Sequence, residues 1–156
     1  MRPDVLTFPK MESSGYVHWL GKGNSGQQEY TFRMYGLDNT DSRQNRTSFY
    51  MFSPAGGLGA GSHVQEAVAP GQWIHYVATV STGANQLRLY KDGVLKDTDV
   101  FLTGTFAVTP ADGTAPLRIG TRDFASYFNG AIDDLVIYNR VLTPAEVQQL
   151  YTLPKQ

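Results

Sequence analysis

Planar cations and aromatic rings recur in this sequence at places that suit the binding of a sugar. A carbohydrate site needs an aromatic ring for the apolar face of the sugar and planar polar groups for its hydroxyls, set in a shallow groove. Arg33 and Tyr35 alternate in one predicted strand and therefore share a face. Arg33 is the residue least easily explained as core, because a buried guanidinium demands paired partners. The residues that we predict for such a site are His18, Trp19, Arg33, Tyr35, Arg46, Tyr50, Arg122 and Asp123.

These side chains do not all point the same way. His18 and Leu20 alternate in a predicted strand, which places Trp19 on the opposite face. For Trp19 and Tyr50, a position in the hydrophobic core explains the sequence at least as well as a place in a binding site.

The acidic residues do not form a recognisable catalytic pair. Retaining cleavage of a glycosidic bond needs two carboxylates about 5 Å apart on one face. Asp133 and Asp134 are adjacent in a predicted strand and point to opposite faces, so they cannot act as an acid and base pair. Asp97 and Asp99 share a face but directly follow a hairpin, where we expect solvated charges.

Nucleophilic catalysis has no support in the sequence either. The chain has no cysteine, which excludes a cysteine nucleophile, a disulfide and a thiolate zinc site. His18, His63 and His75 have no serine partner in a recognisable motif. We therefore predict that the chain is not an enzyme.

A structural calcium ion is the cofactor that the acidic residues suggest. Calcium prefers several oxygen ligands from carboxylates and loop carbonyls, and Asp133 or Asp134 would supply one of them. The alternative is that one of these aspartates binds a neighbouring loop by a hydrogen bond while the other is solvated.

Length and charge exclude two classes of partner. The 156 residues suffice for one domain, and the formal net charge of -1 provides no excess of positive charge for a phosphate backbone. No apolar run approaches the ~20 residues that cross a bilayer. We predict neither nucleic-acid binding nor membrane insertion.

The elements that must position these residues are mostly strands. Residues 73–96 alternate aromatic and β-branched residues and contain Asp92-Gly93, a typical two-residue hairpin turn, so they predict three antiparallel strands. Residues 21–26 are rich in glycine and predict a hairpin loop. Thr143, Pro144 and Glu146 form a capping box that predicts a short C-terminal helix over residues 144–151. Further strands are predicted at residues 16–20, 27–35, 47–52, 64–68, 117–120 and 128–138.

Several stretches occur in an order that resembles a known family. They are QWIHYV (72–77), LYKDG (89–93), LRIG (117–120), FNGAIDDLVIYNR (128–140) and LTPAEV (142–147). This order is similar to the laminin-G-like branch of the concanavalin A-like lectin/glucanase superfamily. The resemblance implies an all-β, two-sheet antiparallel jelly-roll sandwich with a short C-terminal helix. It also implies a non-catalytic module of a larger bacterial protein, secreted or on the cell surface, in which a structural calcium is frequent. The acidic strand motif of the superfamily's hydrolases, Glu-x-Asp-x-x-Glu, does not occur here.

One departure from the family concerns its first strand. Residues 1–4, MRPD, resemble the end of the family's second strand, so we expect the first strand and most of the second to be missing from this sequence. In the family that strand pairs near residues 132–138, so its absence predicts an unpaired hydrophobic edge. We expect a second copy, the terminal segment or a neighbouring domain to cover it.

Two functions follow as hypotheses. The leading one is a module that binds carbohydrate or polysaccharide. The alternative is a structural or protein-interaction module that packs on a neighbouring domain or subunit.

Overall fold

The structure, a computed structural model, describes residues 15–24, 26–53, 59–103, 106–108 and 113–153. Most of the elements in these residues are strands, and one helix follows them. In chain order, the elements are β1 (Tyr16–Asn24), β2 (Gln27–Tyr35), β3 (Arg46–Met51), β4 (Ala60–Ala67), β5 (Tyr76–Ser81), β6 (Gln86–Lys91), β7 (Val94–Asp99), β8 (Leu102–Thr103), β9 (Phe106–Ala107), β10 (Leu117–Ile119) and α1 (Pro144–Thr152).

The strands form antiparallel sheets that face each other. The larger sheet has five strands in the order β10-β1-β2-β3-β4, the second has the order β5-β6-β7, and β8 pairs with β9. The three strands predicted within residues 73–96 are confirmed, although the first begins at Tyr76 and not at Trp73, and the last continues to Asp99. Asp92 and Gly93 both have positive φ, 51° and 78°, as a tight hairpin turn requires. The all-β sandwich with a C-terminal helix is therefore confirmed.

The main core lies between the two larger sheets. Leu87 and Leu89 of β6 alternate with outward residues and are fully buried, as is Val64 of β4. They pack with Phe49 of β3 and with Phe101. Every second residue of β2 and β3 is thus committed to the core, which leaves the opposite face of the five-stranded sheet for other uses.

Helix α1 begins as the sequence predicts. The Thr143 hydroxyl accepts a hydrogen bond from the Glu146 amide at 3.2 Å, and the Glu146 carboxylate accepts one from the Thr143 amide at 2.8 Å. Val147 is fully buried and packs with Leu142 and with Tyr90 of β6. The helix therefore covers the outer face of the three-stranded sheet.

The end of one predicted strand and the existence of another need correction. β1 continues through Gly21 and Gly23 to Asn24, so the loop predicted at residues 21–26 is much shorter. The strand predicted at residues 128–138 is wrong, because the structure has no strand there. Asp134 has a φ of 51°, which interrupts an extended backbone, and the described residues offer this segment no neighbouring strand. A hydrophobic pattern produces a strand only where a hydrogen-bonding partner is available.

Two aspartates join the sheets at one edge. The Gly61 amide of β4 donates to Asp99 Oδ2 and the His63 amide to Asp97 Oδ2, both at 3.0 Å. β4 is an edge strand, and its outward amides recur every second residue, which is also the spacing of the two aspartates on β7. The expectation of solvated charges at residues 97 and 99 is therefore corrected, since both carboxylates bind backbone.

We expect Asp97→Ala and Asp99→Ala each to lower the free energy of unfolding by about 1–3 kcal/mol, because each leaves a backbone amide without its charged acceptor. Urea unfolding measures this loss. Asp→Asn at either position keeps an acceptor oxygen and should cost less. Asp41→Ala, in an exposed loop, is the control. A loss no larger than that of the control would contradict the role of these carboxylates.

Candidate functional site

The register of the five-stranded sheet gathers arginine and tyrosine side chains on its outer face. His18 of β1 pairs with Arg33 of β2, which pairs with Ser48 of β3. The alternating pairs, such as Phe32 with Phe49, face the core. We use the name Arg33 cluster for the outward side chains of Tyr16, His18, Arg33, Tyr35, Tyr50 and Arg122.

Arg33 lies between two tyrosine rings. Its guanidinium carbon is 3.8 Å from the ring centroid of Tyr16 on β1 and 4.2 Å from that of Tyr50 on β3. Arg33 is only 8% exposed, yet no described residue forms an ion pair or a side-chain hydrogen bond with its guanidinium, and its buried Nε has no partner. Burial, as the main cause, lowers the pKa of Arg33. Cation–π contacts contribute about 2 kcal/mol when desolvated but leave the charge uncompensated.

The tyrosines form a fixed floor beside Arg33. The hydroxyls of Tyr35 and Tyr50 are 3.1 Å apart, and Arg43 Nη1 donates to the Tyr35 hydroxyl at 3.3 Å. Gly61 of β4 lies under the Tyr50 ring, where a Cβ atom would come within 2.4 Å of ring atoms. The absence of a side chain at Gly61 therefore gives the Tyr50 ring the space that it occupies. Burial raises the pKa of Tyr50 to about 12, so the phenol is neutral at pH 7.

A second arginine approaches the same face from the loop after β10. The stem of Arg122 lies over Gly21 of β1, where a Cβ atom would be 2.6 Å from the Arg122 Cγ. Its Nη2 donates to Asp123 Oδ2 at 2.5 Å, whereas its buried Nε has no partner among the described residues. Arg122 is 7% exposed. The loop thus brings a buried guanidinium to the β1 side of the cluster, with a hydrogen bond made by Nη2 and none made by Nε to a described residue.

His18 lies between the two arginines and is held neutral. Its Nδ1 is 2.6 Å from the Ser126 hydroxyl, and its buried Nε2 has no partner in the described part of the chain. Burial first, and then the charges of Arg122 and Arg33, lower the pKa of His18 to about 4. A neutral imidazole reduces the positive charge that the site must accommodate at pH 7.

An exposed aromatic ring next to Asp123 was missed in the sequence analysis. Phe124 is 63% exposed and has a φ of 62°, an uncommon conformation for a bulky residue. Thr121 Oγ1 holds the Phe124 amide at 3.1 Å, and the guanidinium carbon of Arg118 lies 4.7 Å from the ring centroid. The place of an aromatic residue in a polar loop beside Arg122 was the available signal for this ring.

The structure brings together six of the eight residues predicted for a sugar site. These six are His18, Arg33, Tyr35, Tyr50, Arg122 and Asp123. Arg46 is half-buried on β3 and donates to Gln65 at 3.3 Å. Trp19 is placed elsewhere, on the core face, with its ring 5.0 Å from that of Tyr76 and 6.0 Å from that of Phe32. Tyr16 was also missed, although its alternation with His18 places it on this face.

The aspartates predicted as calcium ligands do not assemble a site from side chains. Asp133 and Asp134 are exposed, and Asp133 Oδ1 accepts a hydrogen bond from the Asp134 amide at 2.9 Å. Within the described ranges, no group of three or more histidine or acidic side chains is placed to hold a metal ion. Calcium binding therefore stays a prediction.

The chemistry available at the Arg33 cluster is that of a binding site. It offers guanidinium and imidazole nitrogens, phenol hydroxyls and aromatic rings, and the carboxylate of the adjoining Asp123 is already paired with Arg122. No helix in the described ranges is long and apolar enough to span a membrane.

The buried neutral His18 predicts a loss of stability in acid. Above pH 6.5 both native and unfolded states are neutral at this residue, and its contribution is fully present. Between pH 6.5 and about 4, His18 is protonated in the unfolded state but stays neutral in the native state. The free energy of unfolding therefore decreases as the pH is lowered through this range. From pH 7.5 to 4.5 we expect the wild type to lose about 2–3 kcal/mol more unfolding free energy than His18→Asn. Parallel losses in denaturant titrations of the two proteins would contradict a neutral His18.

A family model agrees with this architecture, and one solved structure shows a weaker likeness. A laminin G family model, described as the concanavalin A-like lectin/glucanases superfamily, matches residues 8–148. A crystal structure of an S-layer domain-containing protein (residues 221-444) from Clostridium thermocellum ATCC 27405 is similar at 17% identity over 93% of this chain and 67% of that chain. Its TM-score is 0.39, so this likeness adds nothing to the functional assignment. Because the family model covers most of the sequence and every residue of the Arg33 cluster, the chain belongs to the concanavalin A-like lectin/glucanases superfamily.

Proposed function

We propose that the chain is a non-catalytic module that binds carbohydrate through the Arg33 cluster. The family to which it belongs often binds carbohydrate or protein. The observation that carries the proposal is the buried guanidinium of Arg33, held between two tyrosine rings without an acidic partner among the residues that the structure describes. A buried charge without a partner destabilises a fold, so a ligand that completes its hydrogen bonds gives a reason for its presence.

The surroundings of Arg33 supply the two components of a sugar site. Tyr16 is 39% exposed at the rim of the cluster, and the ring of Phe124 is 63% exposed although Arg118 lies over it. Aromatic faces of this kind pack against the apolar face of a pyranose. Arg33 and Arg122 provide planar donors for hydroxyl oxygens, and the Asp123 carboxylate is an acceptor for hydroxyl hydrogens.

The proposal includes the wider setting predicted from the resemblance. We place the module in a larger bacterial protein that is secreted or displayed at the cell surface, where polysaccharides are available. A structural calcium ion belongs to the same set of predictions, although its ligands are not assembled by the described side chains.

Replacement of Arg33 separates a binding role from a structural one. We expect Arg33→Met to weaken glycan binding at least ten-fold and to leave the unfolding free energy equal or higher, since Met keeps the volume and removes an uncompensated charge. A glycan and polysaccharide array, repeated with calcium and with chelator, finds the ligand, and urea unfolding measures stability. Arg140→Met is the control, because Arg140 is exposed and pairs with Glu146 next to α1. Unchanged binding in Arg33→Met, or no glycan bound by the wild type in either condition, would overturn the proposal.

Protein interaction is a second candidate, favoured by the apolar segment before α1. Val136 and Ile137 are each 61% exposed, and Leu135 and Tyr138 are 41% and 42% exposed. Contiguous apolar surface of this kind marks interaction sites. It is also the hydrophobic segment for which the sequence predicts a cover. We propose that a second copy or a neighbouring domain packs there.

Self-association tests the second candidate. We expect light scattering after size-exclusion chromatography to show a concentration-dependent dimer, and Val136→Lys with Ile137→Lys to return it to monomer by placing charges in the contact. The control is Val94→Lys, which adds a charge at an exposed hairpin position. A wild-type monomer at all concentrations would contradict the second copy and leave the neighbouring domain as the partner to test.

A further inference from the structure

The outer face of the five-stranded sheet has a local excess of positive charge in a chain whose formal net charge is -1. Arg43 donates to a phenol, Arg46 to an amide, and Arg118 to backbone carbonyls. The described arginines of this face are Arg33, Arg43, Arg46, Arg118 and Arg122. Of these, only Arg122 forms an ion pair with a carboxylate of the described residues.

Three buried nitrogens at the centre of this face have no hydrogen-bond partner among the described residues. They are Arg33 Nε, Arg122 Nε and His18 Nε2. Each side chain is less than 9% exposed, so bulk water does little to compensate the positive charge of the two arginines. A sugar hydroxyl would satisfy a donor but would leave the Arg33 charge uncompensated. An anionic group would do both, and hydrogen bonds between charged groups are the stronger kind.

The tyrosine rings restrict how an anion can approach Arg33. Tyr16 and Tyr50 come from the strands on either side of β2 and pack against the guanidinium. Because Arg33 Nε is buried as well, an anion can approach the guanidinium only from the side of its two terminal nitrogens. The edge of a guanidinium presents parallel N–H groups that match the two oxygens of a planar carboxylate. A sulfate ester can place two oxygens on the same edge, but it is the weaker hydrogen-bond acceptor because its conjugate acid is much stronger than a carboxylic acid.

We infer that the carbohydrate bound by the Arg33 cluster is an acidic one, whose carboxylate binds the edge of Arg33 and lies next to Arg122. This inference rests on the proposed carbohydrate-binding function and names its ligand class, which is glycans that contain uronic or sialic acids. Burial keeps the phenol of Tyr50 neutral, so it carries no charge that would repel the anion, and the Asp123 carboxylate is paired with Arg122.

The test uses glycans that differ only in the carboxylate. Probes containing uronic and sialic acids are arrayed beside their methyl esters, with sulfated and neutral polysaccharides as further arms. For the wild type at 150 mM salt, we expect at least ten-fold tighter binding to a free acid than to its ester. We expect Arg33→Met to lose this preference and Arg140→Met to keep it. The backbone amide signals of β1 and β2 should shift on addition of the acid and not of the ester.

The remaining outcomes separate this inference from the proposed function. Equal binding of acid and ester that is lost in Arg33→Met would overturn the acidic ligand and keep the carbohydrate site. Preference for sulfated over carboxylated probes would overturn the assignment of a carboxylate. Preference for the acid that survives in Arg33→Met would assign it to general surface charge and overturn the inference. No binding of any glycan would overturn both proposals.

Discussion

The alternation of side chains along β2 is the constraint on which the rest of the structure depends. Tyr30, Phe32 and Met34 must face the core, so Arg33 and Tyr35 must face away from it. A shift of one residue in the register would place a guanidinium between the sheets. The hydrophobic packing of one face therefore fixes the position of every polar group on the other. The site needs no separate scaffold, because the core already provides a rigid one.

The energetics of the two faces run in opposite directions. Burial of Leu87 and Leu89 against the larger sheet stabilises the fold by roughly 1.5–3 kcal/mol for each side chain. On the outer face, a guanidinium enclosed by aromatic rings loses its hydration, and no acidic side chain in the described ranges pairs with it. A protein accepts such a cost where the group serves a purpose other than folding, as pre-organised binding sites do. Gly21 and Gly61 support this view, since each leaves space for a side chain of the site.

Much of this arrangement was predictable from periodicity and turn chemistry. The hairpins of residues 73–96 and the capping box at Thr143 follow local rules and appear as expected. Alternation placed Arg33 and Tyr35 together and separated Trp19 from His18. The contact of His18 with Ser126 joins residues 108 positions apart, and no local pattern contains it. Residues 128–138 show the converse limit, because their pattern suits a strand whose formation depends on a partner elsewhere.

The two carboxylates that bind the β4 edge have a consequence for assembly. An open strand edge is a template to which another chain can add, and natural sheets avoid this by covering or charging such edges. Here Asp97 and Asp99 occupy the outward amides of Gly61 and His63, and the opposite edge strand, β10, is only three residues long. Two molecules therefore cannot merge their five-stranded sheets through β4 into one continuous sheet without first displacing these carboxylates. Asp97 and Asp99, which link the two sheets by hydrogen bonds, therefore also hinder aggregation by strand addition at β4.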